Sequence, residues 1–335
     1  MKSKGAKITL IIILALIVIA LINFMMYAII NKDKGFNVRF SLIAFGDNTE
    51  KIFEKEYDPE ELDSIHVDVS SSNVKIEKAD TDKIKITAYG DKNEAIKEAM
   101  DDKKLSITKE NTKVFIFAMF YWCNEEIIIQ VPKDCDEAFS IHTSSGDIVA
   151  PDLDNNIIHF ESSSGDIECG NINNGNLRSS SGNILIGNGN EVTIQATSGN
   201  ITAGDFDVLS AEASSGDMQI GTIKENGILK TVSGTITLNK ANKLKAEASS
   251  GDIRINSIED YCEISTSSGN IIVDKINITE KSSIKAKSGN VVINHKNDIY
   301  VETKTNSGDT DVQNNNRMSE IVLEITTTSG NIKVN

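Results

Sequence analysis

Serine and its neighbours are the residues in this chain whose types and spacing could do chemistry. Eleven serines, from Ser145 to Ser329, each precede a glycine, and ten of those glycines precede Asp or Asn. Ser145-Gly146-Asp147, Ser164-Gly165-Asp166, Ser181-Gly182-Asn183, Ser198-Gly199-Asn200, Ser215-Gly216-Asp217, Ser250-Gly251-Asp252 and Ser268-Gly269-Asn270 are copies of one motif; the remainder centre on Gly234, Gly289, Gly308 and Gly330. A serine nucleophile needs a base held against it. Eleven equal copies without a histidine partner are structural instead. Calcium is the second chemistry these rows suggest, but a calcium site requires Asp at fixed positions. Here Asp and Asn exchange freely, and Thr235 fills one copy. What Asp and Asn share is a carbonyl oxygen and a turn preference, so the expected role is Asx-turn capping.

The elements that must carry these corners follow from the repeat. Successive glycines lie 17 to 22 residues apart. Two and four residues after the glycine the side chain is nearly always aliphatic, as in Ile184 and Ile186; Thr310 departs from this. Five before it come Phe160, Leu177, Ile194 and their equivalents, with Thr303 the polar one, and three before it is Ala, Ser or Thr. Alternation of period two on both sides of a glycine describes two short strands meeting at a tight bend. A unit this short cannot bury a core alone, but stacked units do. The expected fold is therefore all-β: a parallel β-solenoid of about eleven coils over 136–335, roughly 50 Å long at about 4.8 Å per coil. Parity places the motif serine inward, its hydroxyl bonded along a ladder or to the turn backbone.

Lys2, Lys4 and Lys7 (a basic tail, 1–7) precede an uncharged run over 8–30. That run is long enough to span a bilayer as one helix, and the basic flank favours a cytoplasmic N-terminus. The expected location is the cell membrane, single-pass, with the solenoid extracytoplasmic. Beyond residue 30, 31 Lys and Arg face 49 Asp and Glu, a balance of −18 that disfavours nucleic acid as a partner. Residues 31–55 read as a juxtamembrane linker and 56–135 as an irregular β region capping the first coil. Within the latter, Ser71–Ile76 resembles a repeat lacking its glycine, Glu94–Lys104 reads as a short helix, and Phe115–Trp122 as the buried strand of a cap. Cys169 and Cys262 fall on inward positions; Cys123 and Cys135 could pair. His142 and His159 fall outward on adjacent coils, where a weak metal pair lacks a third ligand. No catalytic, cofactor-binding or metal-binding residue is assigned.

The single anchor, the strand ending in Ile129-Gln130-Val131-Pro132, and the repeating Ser-Gly-Asp-Ile and Ser-Gly-Asn-Ile corners resemble bacterial β-strand-repeat proteins grouped as candidate adhesins, over roughly 56–335. The resemblance implies a non-enzymatic surface module, with a cell-envelope stress response as a candidate role, and brings no catalytic residues. Three classes follow: a binding or adhesion module for an envelope polymer, cationic peptide or membrane protein; a structural spacer or rod that self-associates through an open C-terminal coil; and, least favoured, a polysaccharide-active enzyme, for which coils this short build no cleft.

Overall fold

The computed structural model describes residues 37–40, 49–92, 94–109, 114–117, 124–295 and 298–335. Among them no helix is long and apolar enough to cross a membrane, and the anchor expected over 8–30 lies outside them.

Each Ser-Gly-Asx corner sits between a long strand and a short one, and the chain winds them into a stack of parallel rungs. The short strands Ile148–Ala150, Ile167–Cys169, Ile184–Ile186 and Ile201–Ala203 alternate with the long strands Leu153–Ser162, Ile172–Ser179, Gly189–Ala196 and Phe206–Ser215. Between Met218 and Ser268 the strands run nearly without a break, as Met218–Ser233, Ile236–Ser250 and Ile253–Ser268. Register is strict because the repeat is: Ile184 pairs with Ile201, Ile201 with Met218, Met218 with Ile236 and Ile236 with Ile253. Every second side chain then enters one continuous core, led by Phe139, Phe160 and Phe206. Size is matched between rungs: Gly189 pairs with Phe206, and a Cβ on Gly189 would meet that ring at 2.9 Å.

Both ends of the stack break sequence order. The rung carrying Val322–Ser329 and Ile332–Val334 lies between the rung of Ser282–Ser288 and Val291–His295 and that of Tyr300–Ser307 and Thr310–Val312. The last coil of the chain is thus enclosed, and the edge belongs to the coil before it. Thr303 and Thr310, the exceptions in the repeat, both lie on that edge rung, where a side chain facing inward has a neighbour on one side only.

At the other end, Ser64–Val69 lies between Ala138–Thr143 and the later strand Lys104–Lys109, and Asn73–Ala79 lies between Ile148–Ala150 and Glu126–Pro132. The degenerate repeat at Ser71–Ile76 therefore builds a genuine rung. Antiparallel strands finish this end: Ile84–Gly90 joins Glu126–Pro132 to Glu50–Tyr57, and Ile96–Asp101 covers Lys104–Lys109. The helix expected over Glu94–Lys104 is this last hairpin, turning at Asp102 and Lys103 with φ of 41° and 61°. Its residues are good helix formers, but a helix this short is marginal by itself, and the open edge of Lys104–Lys109 offers a full ladder of backbone bonds that a lone short helix cannot match. The backbone of Val114–Phe117 pairs in parallel with Asn37–Phe40, apart from the main sheet. The rest of the aromatic run lies outside the described residues.

Cys135, Cys169 and Cys262 are buried free thiols. Burial pushes each up to about 12, helped at Cys135 by the Glu137 carboxylate, whose Oε2 accepts from Sγ at 2.7 Å. Cys123 lies outside the described residues.

Candidate binding groove and the Ser-Gly-Asx corners

The corner serines are not inward. All eleven are exposed. The inward hydroxyl belongs to the residue three before the glycine: Ser162 Oγ accepts from Gly165 N–H at 2.8 Å and donates to the Gly146 carbonyl of the neighbouring rung at 3.1 Å. Thr143 and Ser179 repeat this arrangement. Later rungs with Ala at this position use backbone instead, as where Gly216 N–H donates to Ser233 O at 3.1 Å. The bend after residue −3 turns the chain half a step, which is why counting parity through the corner misplaces the serine.

Close approach explains the glycine. A Cβ on Gly165 would collide with the carbonyl of Gly146, one on Gly182 with that of Gly165, and so on along the stack. Positive φ is an added requirement only in later rungs, such as Gly289 at 146°.

The Asx residues do not cap their own turns; they link rungs. Asp166 N–H donates to Asp147 Oδ1 at 2.8 Å, Asn183 N–H to Asp166 Oδ1 at 2.6 Å, Asn200 N–H to Asn183 Oδ1 at 3.0 Å and Asp217 N–H to Asn200 Oδ1 at 2.9 Å. Asn73, in the degenerate repeat, starts the ladder by accepting from Asp147 N–H. Only a carbonyl oxygen is needed, so Asp and Asn are equivalent. A second ladder, missed in the sequence, runs along the opposite corner through Asp152, Asn171, Asn188 and Asp205 to Thr222 N–H. Its signal was available: Gly170-Asn171, Gly187-Asn188 and Gly204-Asp205 recur at 17 residues. Accordingly, Asp166→Asn should leave stability within about 0.5 kcal/mol, whereas Asp166→Ala should cost about 1 kcal/mol for the orphaned Asn183 N–H. Calcium should shift the melting temperature of neither. Thermal melts with calcium and with a chelator check all three statements.

The histidines do approach a third group. His142 Nδ1 and His159 Nε2 lie 3.8 and 3.9 Å from Glu161 Oε2. Among the described residues, however, no three His, Cys, Asp or Glu side chains converge to hold a metal.

What the fold does build is a groove. Outward side chains two and four positions before each glycine line a cavity of about 650 Å³ along the stack, including Glu161, Arg178, Glu212, Lys230 and Glu247 with Ser180, Thr197 and Ser214. Its floor is the small residue between them, such as Ala196, Ala213 or Ala248. A second cavity of about 420 Å³ shares Ala248, Ser265 and Ser267 with the first and carries the groove on to the final rungs. The inward columns are nearly uniform, but this outward lining changes charge and size at every rung. Sequence reasoning noted the small residue three before each glycine without seeing that this column sinks a channel between its two neighbours.

Residues 62–238, and again 187–335, match the model of the Toastrack DUF4097 family. The chain belongs to this family. Two overlapping matches on a Toastrack protein are what a repeat read twice would give, since the corners of Gly199, Gly216 and Gly234 fall in both. Among solved structures, a candidate adhesin from Bacteroides fragilis is 17% identical, with 87% of this chain and 100% of that chain covered and a TM-score of 0.33. A candidate adhesin from Parabacteroides distasonis is 14% identical, covering 86% and 97%, with a TM-score of 0.35. A candidate lipid binding protein from the same species is 16% identical, covering 88% and 100%, with a TM-score of 0.31. No curated protein matches the chain.

Proposed function

We propose that this Toastrack protein is a non-enzymatic binding or adhesion module, held at the extracytoplasmic face of the cell membrane by residues 8–30 and acting in the cell envelope, with the envelope stress response as its setting. The observation that carries the reading is the groove: a channel crossing successive rungs, uniform in its floor and varied in its walls. Structural uniformity belongs to stacking; variation along a solvent-facing channel is what recognition of an extended partner uses. The corner serines are solvent-facing copies without a base, which supports the non-enzymatic reading. The edge rung, with Thr303, Thr310, Lys304, Asp309 and Asp311, is polar and charged, a composition that works against end-to-end growth. Envelope polymers, cationic peptides and membrane proteins are the partner classes.

The test uses the full chain in zwitterionic nanodiscs, co-sedimented with isolated bacterial envelopes, beside a variant whose groove is filled by Ser180→Trp and Ser214→Trp. Saturable binding that weakens at least tenfold in the filled variant is expected. Equal binding by both, or growth of particle size with concentration by light scattering, would replace the module with a spacer or rod.

A further inference from the structure

The groove changes character along its length, and the change falls at one end. The rung of Gly289 contributes Lys285 and Lys287, and that of Gly308 contributes Lys304. Between those rungs sits the one carrying Thr326, which pairs with Lys285 on one side and Lys304 on the other. Two lysines therefore stand two rungs apart, about 10 Å at the usual strand spacing, with a threonine between them and Lys287 alongside. All three are exposed. Two of the carboxylates on this side are engaged elsewhere: Glu324 Oε1 meets Lys281 Nζ at 2.5 Å, and Glu263 Oε2 meets Lys245 Nζ at 3.7 Å; the third, Glu302, is exposed two residues before Lys304 and makes no ion pair with it. Among the described residues none of Lys285, Lys287 and Lys304 has an ion pair. Three unpaired cations gathered in a channel are unusual in a chain of net charge −15. Salt screens that net charge beyond about 8 Å, so the local cluster decides what binds there.

We propose that this end of the groove is an anion subsite and that the groove's occupant is a linear acidic polysaccharide, with a carboxylate or sulfate seated among Lys285, Lys287 and Lys304. The assignment rests on the groove being the binding face and adds the chemistry of its ligand. Ser265, Ser267, Asn306, Thr326 and Thr328 surround the lysines with hydroxyls and an amide, donors and acceptors suited to sugar hydroxyls. No aromatic ring lines either cavity, so stacked nucleobases have no platform. The strands Ile253–Ser268, Ser282–Ser288 and Val322–Ser329 are paired on both sides, which leaves an extended peptide backbone partners only along the outer edge of Tyr300–Ser307. Lysine, as a compact point charge rather than a planar fork, accepts an anion without fixing its geometry, as a sliding polymer requires.

The experiment measures binding of polygalacturonate oligomers, neutral dextran oligomers and poly-glutamate of equal charge to the full chain in zwitterionic nanodiscs, by titration calorimetry at low and at physiological salt. Polygalacturonate should bind best, weaken with salt, and lose at least tenfold in K285Q/K287Q/K304Q. It should be unaffected by Lys224→Gln, whose lysine pairs with Asp207 at 2.8 Å beside another cavity. Unchanged polygalacturonate affinity in the triple variant, or no binding by the unaltered chain, overturns the subsite. If the Trp-filled groove still loses envelope binding in that case, the groove reading survives alone. Poly-glutamate binding as tightly as polygalacturonate, with the same loss in the triple variant, overturns the polysaccharide. A triple variant that loses polygalacturonate while the filled groove does not would keep the subsite and remove the groove. Unchanged melting of each variant excludes misfolding, since the three lysines touch no core.

Discussion

Gly199→Ala should destabilise the protein by about 3 kcal/mol, a large effect for adding one methyl group. Gly199 lies in the interior of the stack, and the added Cβ would be driven into the carbonyl of Gly182, with Asn183 N at 3.1 Å. All of these are backbone atoms, anchored where Gly182 N–H donates to Ser179 Oγ at 2.8 Å and Asn183 N–H to Asp166 Oδ1 at 2.6 Å, so no flexible side chain can swing aside. Relief requires parting two rungs, which breaks the Asx ladder bond from Asn200 N–H to Asn183 Oδ1 and the adjoining strand bonds at once. The neighbouring Ser198→Ala is the control. Its side chain is exposed and should change stability by less than about 0.5 kcal/mol. Denaturant midpoints of both variants check the pair. A Ser198 effect as large as that of Gly199 would restore the inward serine that parity suggested.

Lys109→Met should cost a similar amount, about 3 kcal/mol, and should do so in a pH-dependent way. Lys109 is the keystone of the end opposite the lysine cluster. Its side chain is 7% exposed, and Nζ lies 2.8 Å from Glu94 Oε2 and 2.5 Å from Glu125 Oε2. Glu125 also accepts from Ser71 Oγ at 2.6 Å and Ser72 Oγ at 3.2 Å, tying the outermost rung to the corner of the rung above it. Removing the ammonium leaves two carboxylates facing each other with little water.

Burial pushes the Glu125 carboxyl up, but the Lys109 ammonium and the two serine hydroxyls outweigh it and hold the group below its ordinary 4.5. A carboxylate whose folded value is depressed stabilises the fold at pH above its unfolded value, and that contribution is lost as pH falls through the folded value. The unaltered protein should therefore lose stability on acidification below about 4.5. The deficit of Lys109→Met should begin to narrow at higher pH than this, because burial and mutual repulsion make the stranded carboxylates take up protons earlier. Thermal melts of both proteins between neutral pH and pH 3 measure this. A deficit independent of pH would reduce Lys109 to a packing residue.

The architecture was legible because a rung is a local event repeated. Aliphatic residues two and four after the glycine, such as Ile184 and Ile186, fix the strand period, and the spacing of glycines fixes what stacks on what. The glycine's reason was legible too, since a backbone that must approach another backbone excludes a side chain. Even the polar departures, Thr303 and Thr310, were visible as departures. Their meaning was not, because an edge exists only once the order of stacking is known.

That order is what the tertiary structure decided. Placing the coil of Ser329-Gly330-Asn331 beneath the coil of Ser307-Gly308-Asp309 is a choice between two strand pairings of nearly equal local chemistry. It is settled by which rung can best tolerate having one face uncovered. The same contest turned Ile96–Asp101 into a strand, since its own helix preference was worth less than an unpaired edge beside it. The serine's outward position and the Asx ladder depend on how sharply the corner bends, which period-two counting cannot register. The groove is wholly a product of stacking. Arg178, Lys230, Lys285 and Lys304 are tens of residues apart in the chain and become one channel only when their rungs align. Sequence alone determined the repeating unit and its buried face; the folded stack determined the edges, the ladders and the surface that meets a partner, because these are relations between rungs rather than properties of any one.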